Sequence, residues 1–317
     1  VLYIFCDSDN GVTTPGTLYQ TTSTWPANSD RWSSIANALG NATIQGLADD
    51  LTFLIQGTAN FGFANVSALS ALSVLIEGDA TGAIWDDTKA TIQNSGTAAP
   101  LTLALSVPMT VRNVQAQNSQ SSGTPRIAYC TGTGAVTLEG LKLRGLSTSI
   151  NTATGINGTT APPASITAKN CIVDMSGCAA PSNGIGIQSA TVGSFYNCVF
   201  RGAGTGTTNA DSCVNCAFFD FATQGGGSGN YNYCATVNGT GTNPISVSNW
   251  NTVFVNYGGF DYRLLPGAAL IGAGIGPSSD PNVPTTDIAG VTRSGTTTDA
   301  GAAMYVAYNV SSGWLAA

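Results

Sequence analysis

Three charged residues are the first that could do chemistry. Arg144, Asp174 and Arg201 occupy the same place in three matching segments, each three positions after Leu141, Cys171 or Cys198. On stacked strands they would lie about 4.8 Å apart. An arginine–aspartate–arginine line could cradle a uronate and abstract its proton. It could equally be an ion-pair ladder that keeps strand register, worth about 0–1 kcal/mol per exposed pair. No second carboxylate stands in the column, so the ladder is the preferred reading. No catalytic residue is assigned, and Asp174, Arg144 and Arg201 are kept as the candidates. Two further acid pairs, Asp49–Asp50 before Leu51 and Asp86–Asp87 beside Trp85, could bind calcium or act as acid and base. Neighbours on a strand point to opposite faces, and turn aspartates commonly bond their own backbone, so both pairs read as turns. The run 7–11 (Asp-Ser-Asp-Asn-Gly) opens like a calcium loop but lacks the later ligands, and also reads as a turn. Cys213 and Cys216 resemble half a zinc site. The chain has no histidine to complete a mixed site, and residues three apart on one strand face opposite ways, so these cysteines read as structural. No metal or cofactor is expected.

The elements that would position these residues show in the stretch 136–221. Segments 137–144, 167–174, 194–201 and 212–219 can be overlaid, with Gly140, Asn170, Asn197 and Asn215 at the fourth position. Apolar residues then alternate with a period of two, the pattern of a short strand with one buried face. A strand recurring every roughly 18 to 30 residues, with Gly/Ser/Thr/Asn-rich connections, predicts a parallel β-solenoid. Leu141, Cys171, Cys198 and Cys216 would form one inward column, and Leu143, Val173, Phe200 and Phe218 the next. Segment 111–116 fits the same pattern one rung earlier. Segments 51–57, 72–78 and 103–111 read as strands, 225–229 as a loose glycine corner, and 231–234 and 245–250 as less regular strands. One amphipathic helix is expected over 29–40. Trp32, Ile35, Ala36 and Leu39 would share its face, Ser29 or Asp30 would cap it and Gly40 would stop it. Its place is over the open N-terminal end of the coil.

Composition narrows the partners. Of 317 residues, 43% are hydrophobic and 9% charged, against about 25% charged in ordinary domains, so Ser, Thr, Asn and Gln must make the surface polar. Thirty-nine glycines suit a fold that turns every few residues. The net charge is −7, and the ten Lys and Arg are scattered, which leaves no footprint for nucleic acid. No apolar run reaches the roughly 18 residues of a membrane span. The start at Val1 reads as a first strand without a basic leader region, consistent with loss of an initiator Met or of a leader. Eight cysteines allow a disulfide framework, but the shared position of Cys171, Cys198 and Cys216 favours stacked buried thiols; Cys171 and Cys178 are the pair to join if any disulfide forms. Five Asn-x-Ser/Thr sequons begin at Asn41, Asn65, Asn157, Asn238 and Asn309, which chance explains in a chain so rich in Asn and Thr.

Both ends carry a resemblance. Segments 260–274, 287–293 and 299–302, with their Asp-aromatic-Arg-Leu strand, Pro-Gly turn, Ala-Gly ending and final Asp-led hairpin, resemble the terminal part of right-handed parallel β-helix proteins of the pectate-lyase-like superfamily. The start, from Leu2 to Ile35, is similar to their N-terminal strand and capping helix. The resemblance implies an all-β, single-domain right-handed parallel β-helix. An N-terminal strand and capping helix would span 1–50, coils 51–258 and C-terminal capping strands 259–317, which would close the other end or run along the side. It says little of activity, because the fold hosts lyases, hydrolases, adhesins and phage spikes. The family's histidine-dependent hydrolase motifs are missing. The expected role is therefore non-enzymatic: a structural or binding protein on a bacteriophage virion surface, of head-decoration, fibre or spike type, touching capsid or tail proteins and a cell-surface glycan. A bacterial adhesin or extracellular filament subunit is the alternative, and a lyase acting on acidic glycans the third reading. The resemblance also implies homo-oligomers, commonly trimers. Tyr231, Tyr233, Trp250 and Tyr257 would then be interface anchors, and Phe254 a core residue.

Overall fold

A computed structural model describes residues 1–58, 64–66, 69–95, 99–148, 153–158, 163–178, 184–189, 193–202, 207–208, 212–221 and 230–306. The chain is predominantly β. Three parallel sheets of nine, eight and six strands dominate it, and the chain visits them in a repeating order, an arrangement compatible with a solenoid. One passage runs through Val136–Glu139 in the first sheet, Lys142–Gly145 in the second and Ala153–Gly158 in the third. Val136–Glu139 is in register with Met109–Arg112 before it and Ile166–Lys169 after it.

Each repeated segment is therefore two strands and a corner, not the single strand expected from its alternation. The fourth residue makes the corner. Asn113, Gly140, Asn170, Asn197 and Asn215 all take left-handed backbone, with φ of 53°, 63°, 54°, 51° and 56°. Glycine adopts that region freely, and asparagine tolerates it better than other side chains. Tyr233 extends the column with φ 52° and is the one bulky member. The next residue turns inward, so Val114, Leu141, Cys171, Cys198, Cys216 and Cys234 are all buried. The second predicted column is also in register: Leu143 pairs with Val173, Val173 with Phe200, and Phe200 with Phe218. The last two rings stack at 5.0 Å and 12°. All eight cysteines are free and buried, so Cys171 and Cys178 are not joined. Because the bend at Asn215 separates two strands, Cys213 and Cys216 both point into the core, contrary to the opposite-face expectation.

The remaining strand expectations need revision in places. Segment 103–111 divides between Leu101–Ala104 in the third sheet and Met109–Arg112 in the first. Segment 245–250 holds only the short strand Ile245–Ser246 before a 3-10 turn at Trp250–Thr252. The corner at 225–229 lies outside the described residues, as does Asn309.

The N-terminal helix is shorter than predicted and is followed by a second. Helix α1 is Ile35–Leu39, capped by the Ser34 hydroxyl accepting from the Asn37 N–H, and α2 is Ala42–Gln45, capped by Asn41. Ser29 and Asp30 belong to a separate 3-10 turn, Asn28–Asp30. Trp32 precedes α1, bridging Cys6 and Val12, yet its ring is buried with Ile35 in the same core. Asp7 anchors the turn that follows it: its carboxylate accepts from Arg31 Nη1 at 2.8 Å, Gln56 Nε2 at 2.8 Å and the N–H groups of Asp9 and Asn10. Burial pushes its pKa up, but the bonds from Gln56, Asp9, Arg31 and Asn10 outweigh this and hold it below the ordinary value.

Of the two expected placements of the C-terminal part, the described residues show the second. It lies along the side of the sheets, over the outer face of the second sheet. There Ile172, Val199, Ala217, Phe219 and Ala235 form a separate apolar cluster with Trp250, Val253, Phe254, Phe260, Tyr262 and Leu270. The later hairpin follows the asparagine column. Arg293 Nη1 donates to Asn170 Oδ1 at 2.6 Å, Asn197 Nδ2 to the Asp299 carbonyl at 3.1 Å, and the Ile275 N–H to Asn215 Oδ1 at 2.9 Å. The corner asparagines thus turn the chain and also seat the C-terminal segment.

Candidate functional site

The chemistry-bearing residues gather on the outer face of the second sheet, where its strands meet their covers. Arg144, Asp174 and Arg201 stand in register on adjacent strands, as the spacing predicted. They do not form an alternating ladder. Asp174 Oδ2 accepts from the Tyr262 hydroxyl at 2.6 Å and from Arg201 Nη1 at 3.4 Å, while its Oδ1 accepts from the N–H and hydroxyl of Ser176. Asp174 is only 5% exposed. Arg201 also donates to Asp220 Oδ2 at 2.9 Å and to the Tyr257 carbonyl at 2.9 Å, and its guanidinium lies 4.7 Å from the Tyr257 ring. Burial lowers the Arg201 pKa, but Asp174 and Asp220 outweigh it and raise it. Burial and the Asp174 charge together push the Tyr262 hydroxyl well above its ordinary value, so it stays a donor. A carboxylate so fully engaged and so enclosed serves to lock the cover to the sheet; it has no open oxygen facing a ligand.

Arg144 makes no ion pair among the described residues. Its guanidinium lies 5.6 Å from the centroid of the Trp85 ring instead. That ring belongs to an inserted loop, residues 79–89, which lies on the same sheet face at an earlier rung. Two fully buried polar side chains hold the loop from beneath. Lys142 Nζ donates to the Ile84 carbonyl at 2.7 Å and the Thr81 carbonyl at 3.4 Å. Gln115 Nε2 donates to the Asp86 and Lys89 carbonyls at 2.8 and 3.0 Å. Burial lowers the Lys142 pKa to about 8, against the raising influence of Asp86 and Asp79. Backbone bonds from Tyr262 to Ala83 and from Trp85 to Phe260 tie the loop to the C-terminal cover.

Asp86 and Asp87 are at the loop's turn, as expected. Asp86 Oδ1 accepts from the N–H and hydroxyl of Thr88, which hold its pKa below the ordinary value, and Asp87 Oδ1 accepts from Trp85 Nε1 at 3.0 Å. Asp50 accepts from the Ser73 hydroxyl and Asp49 is exposed, so that pair stays divided. Among the described residues no group of three or more Cys, Asp or Glu is placed to hold a metal ion. Of the expected interface rings, Tyr231 and Trp250 are buried, the first at the end of the core stack against Phe218 and the second against Phe219. They are core rings in this chain; Tyr233 and Tyr257 are partly exposed, and Phe254 is buried as expected. The sequon residue Asn157 is buried, which removes it as a glycan acceptor.

Sequence reasoning missed Lys142, Gln115 and Tyr262. For Lys142 a signal existed, since it occupies the place filled by Ile172, Val199 and Ala217 on later rungs. A lysine aligned with apolar residues marks a change in what covers that face. No comparable signal points to Tyr262. No family of known proteins, no curated protein and no solved structure matches this chain.

Proposed function

We propose that the chain is a right-handed parallel β-helix that acts as a non-enzymatic structural or binding protein on a bacteriophage virion surface. The observation that carries the non-enzymatic part is the state of Asp174. Its oxygens are taken by Tyr262, Arg201 and Ser176, and the residue is enclosed by the C-terminal cover. A general base must reach the proton it removes, and this one is closed off. Continuous in-register pairing along three sheets suits a body that must survive outside a cell, because backbone groups of each rung bond to the next. No helix among the described residues is long and apolar enough to cross a membrane. Display as a cellular adhesin or filament subunit rests on the same features, and which particle or surface bears the protein separates the two.

Gold-labelled antibody against the chain, applied to native virions and to intact host cells, tests the placement. Label on particles supports the virion reading; label on uninfected cells alone replaces it with the adhesin. Incubation with pectate-type polymers, with and without calcium, tests the non-enzymatic part. Release of unsaturated uronates that is lost in Asp174→Asn would establish the lyase instead.

A further inference from the structure

We propose that the cleft between loop 79–89 and the C-terminal segment is a binding site for a neutral saccharide. The cleft has a volume of about 490 Å³, within the range of small-molecule sites. One wall is Ile84 and Trp85; the other is Val291, Met304 and Val306. Ile84 and Val306 are exposed, at 38% and 45%. The Trp85 ring is fixed by three contacts: its Nε1 on Asp87, Arg144 beside the ring, and an edge contact with Phe260 at 5.4 Å. Lys142 and Gln115, both fully buried, fix the loop itself from below. A partly exposed ring on a loop pinned by buried donors is set before any ligand arrives, which lowers the entropy cost of binding.

The polar groups select the ligand. The second carboxylate oxygens of Asp86 and Asp87 have no hydrogen-bond partner among the described residues and can only accept. They therefore call for hydroxyl or amine donors and repel anions. The other charges lining the cleft are occupied: Arg263 pairs with Asp261 at 2.6 Å, and Asp287 accepts from the N–H groups of Ala289, Val291 and Met304. A cationic ligand gains little at Asp86, because the charges of Lys142 and Lys89 already act on that carboxylate. Several hydroxyl donors on a ring with C–H faces satisfy both the carboxylates and the apolar walls, and that is a neutral sugar. The site does not depend on which surface displays the protein, nor on the absence of lyase activity.

The full chain is to be probed on an array of neutral and uronate-containing oligosaccharides. Calorimetry follows with the best neutral binder and with tetralysine. Binding of a neutral oligosaccharide, weakened by about tenfold or more in Trp85→Ala and by several-fold in Asp87→Asn, is the expected result. Asp87→Asn keeps the size of the side chain and serves if Trp85→Ala fails to fold. Three results would each overturn the proposal: no neutral sugar bound, binding unchanged in the folded variants, or tighter binding of uronates or tetralysine.

Discussion

Along one outward-facing column of the second sheet, Thr91, Gln115 and Lys142 give way to Ile172, Val199, Ala217 and Ala235, and every one of them is buried. The first three lie beneath loop 79–89 and the others beneath the C-terminal segment. The two covers differ in what they turn towards the sheet. The loop brings backbone carbonyls, and a buried carbonyl without a donor is costly, so lysine and glutamine must meet it. The C-terminal segment brings side chains, chiefly Trp250, Phe254, Phe260 and Tyr262, so aliphatic residues meet those. One strand position thus changes character with what lies on it, while the inward positions after it are apolar from Ile92 to Phe218 and turn polar only at Thr236.

The late cover hinges on Phe219, which is fully buried and packs on Trp250 at 4.7 Å, Tyr257 at 5.4 Å and Phe254 at 5.5 Å. Phe219→Ala should destabilise the fold by about 3–5 kcal/mol in denaturant unfolding. If the two covers are separate, amide exchange should speed up in 250–264 more than in 79–89. Equal loss of protection in both would mean that the covers are one cooperative unit.

A smaller loss is expected where the late cover is locked by charge. Asp174→Ala should cost about 3 kcal/mol, because it leaves the Tyr262 hydroxyl buried without its acceptor and takes from the Arg201 guanidinium one of its two carboxylate partners. Tyr262→Phe removes only the hydroxyl and should cost about 1 kcal/mol. A Tyr262→Phe loss as large as that of Asp174→Ala would show that the hydroxyl, and not the ion pair, carries the lock. Both are read as shifts in the urea midpoint.

Smaller than the loss at Asp174 is the effect expected at the corners. Gly140 has φ 63°, and an added Cβ would meet Asn113 Oδ1 at 2.8 Å. Gly140→Ala should cost about 1–2 kcal/mol from left-handed backbone strain, whereas Gly140→Asn should recover part of it. Equal thermal midpoints for the two variants would show that asparagine has no advantage there.

These corners also show what the sequence could and could not reveal. The inward columns were legible because burial with a period of two survives any bend: Leu143, Val173, Phe200 and Phe218 stack as their spacing requires. The bend itself was written in the same segments, as Asn or Gly at a fixed place, yet it reads as a strand until the left-handed backbone is considered. That omission merged two strands into one and sent Cys213 to the wrong face. Register placed Arg144, Asp174 and Arg201 side by side, but their partners come from far along the chain. Tyr262 is 88 residues from Asp174, and no local pattern announces such a contact. The helix ended where Gly40 stops it but began later than predicted, because Trp32 pairs as a bridge with the first strand.

The early cover rests on the protonation of Lys142. Burial holds its amine at about 8, below its ordinary 10.5. Between those pH values the unfolded chain carries a proton that the folded chain has released, so this residue makes folding more favourable as pH rises, and its cost is greatest below about 8. The buried thiols act in the opposite sense. Burial raises Cys130 to about 12 and lifts Cys171, Cys198 and Cys216 well above 9.0, so the unfolded chain loses protons that the fold retains. Total stability above pH 9 should therefore fall, and Lys142 is visible only as a difference. Lys142→Met keeps the length and removes the charge and the donors. At pH 7 it should lie within about 1 kcal/mol of the wild type, since relief of a buried ammonium offsets two undonated carbonyls. At pH 9.5 the wild type should gain about 2 kcal/mol relative to the variant. A difference that stays flat across that range would mean that the amine keeps its proton under the loop. The early cover would then be held by a charge and not merely by hydrogen bonds.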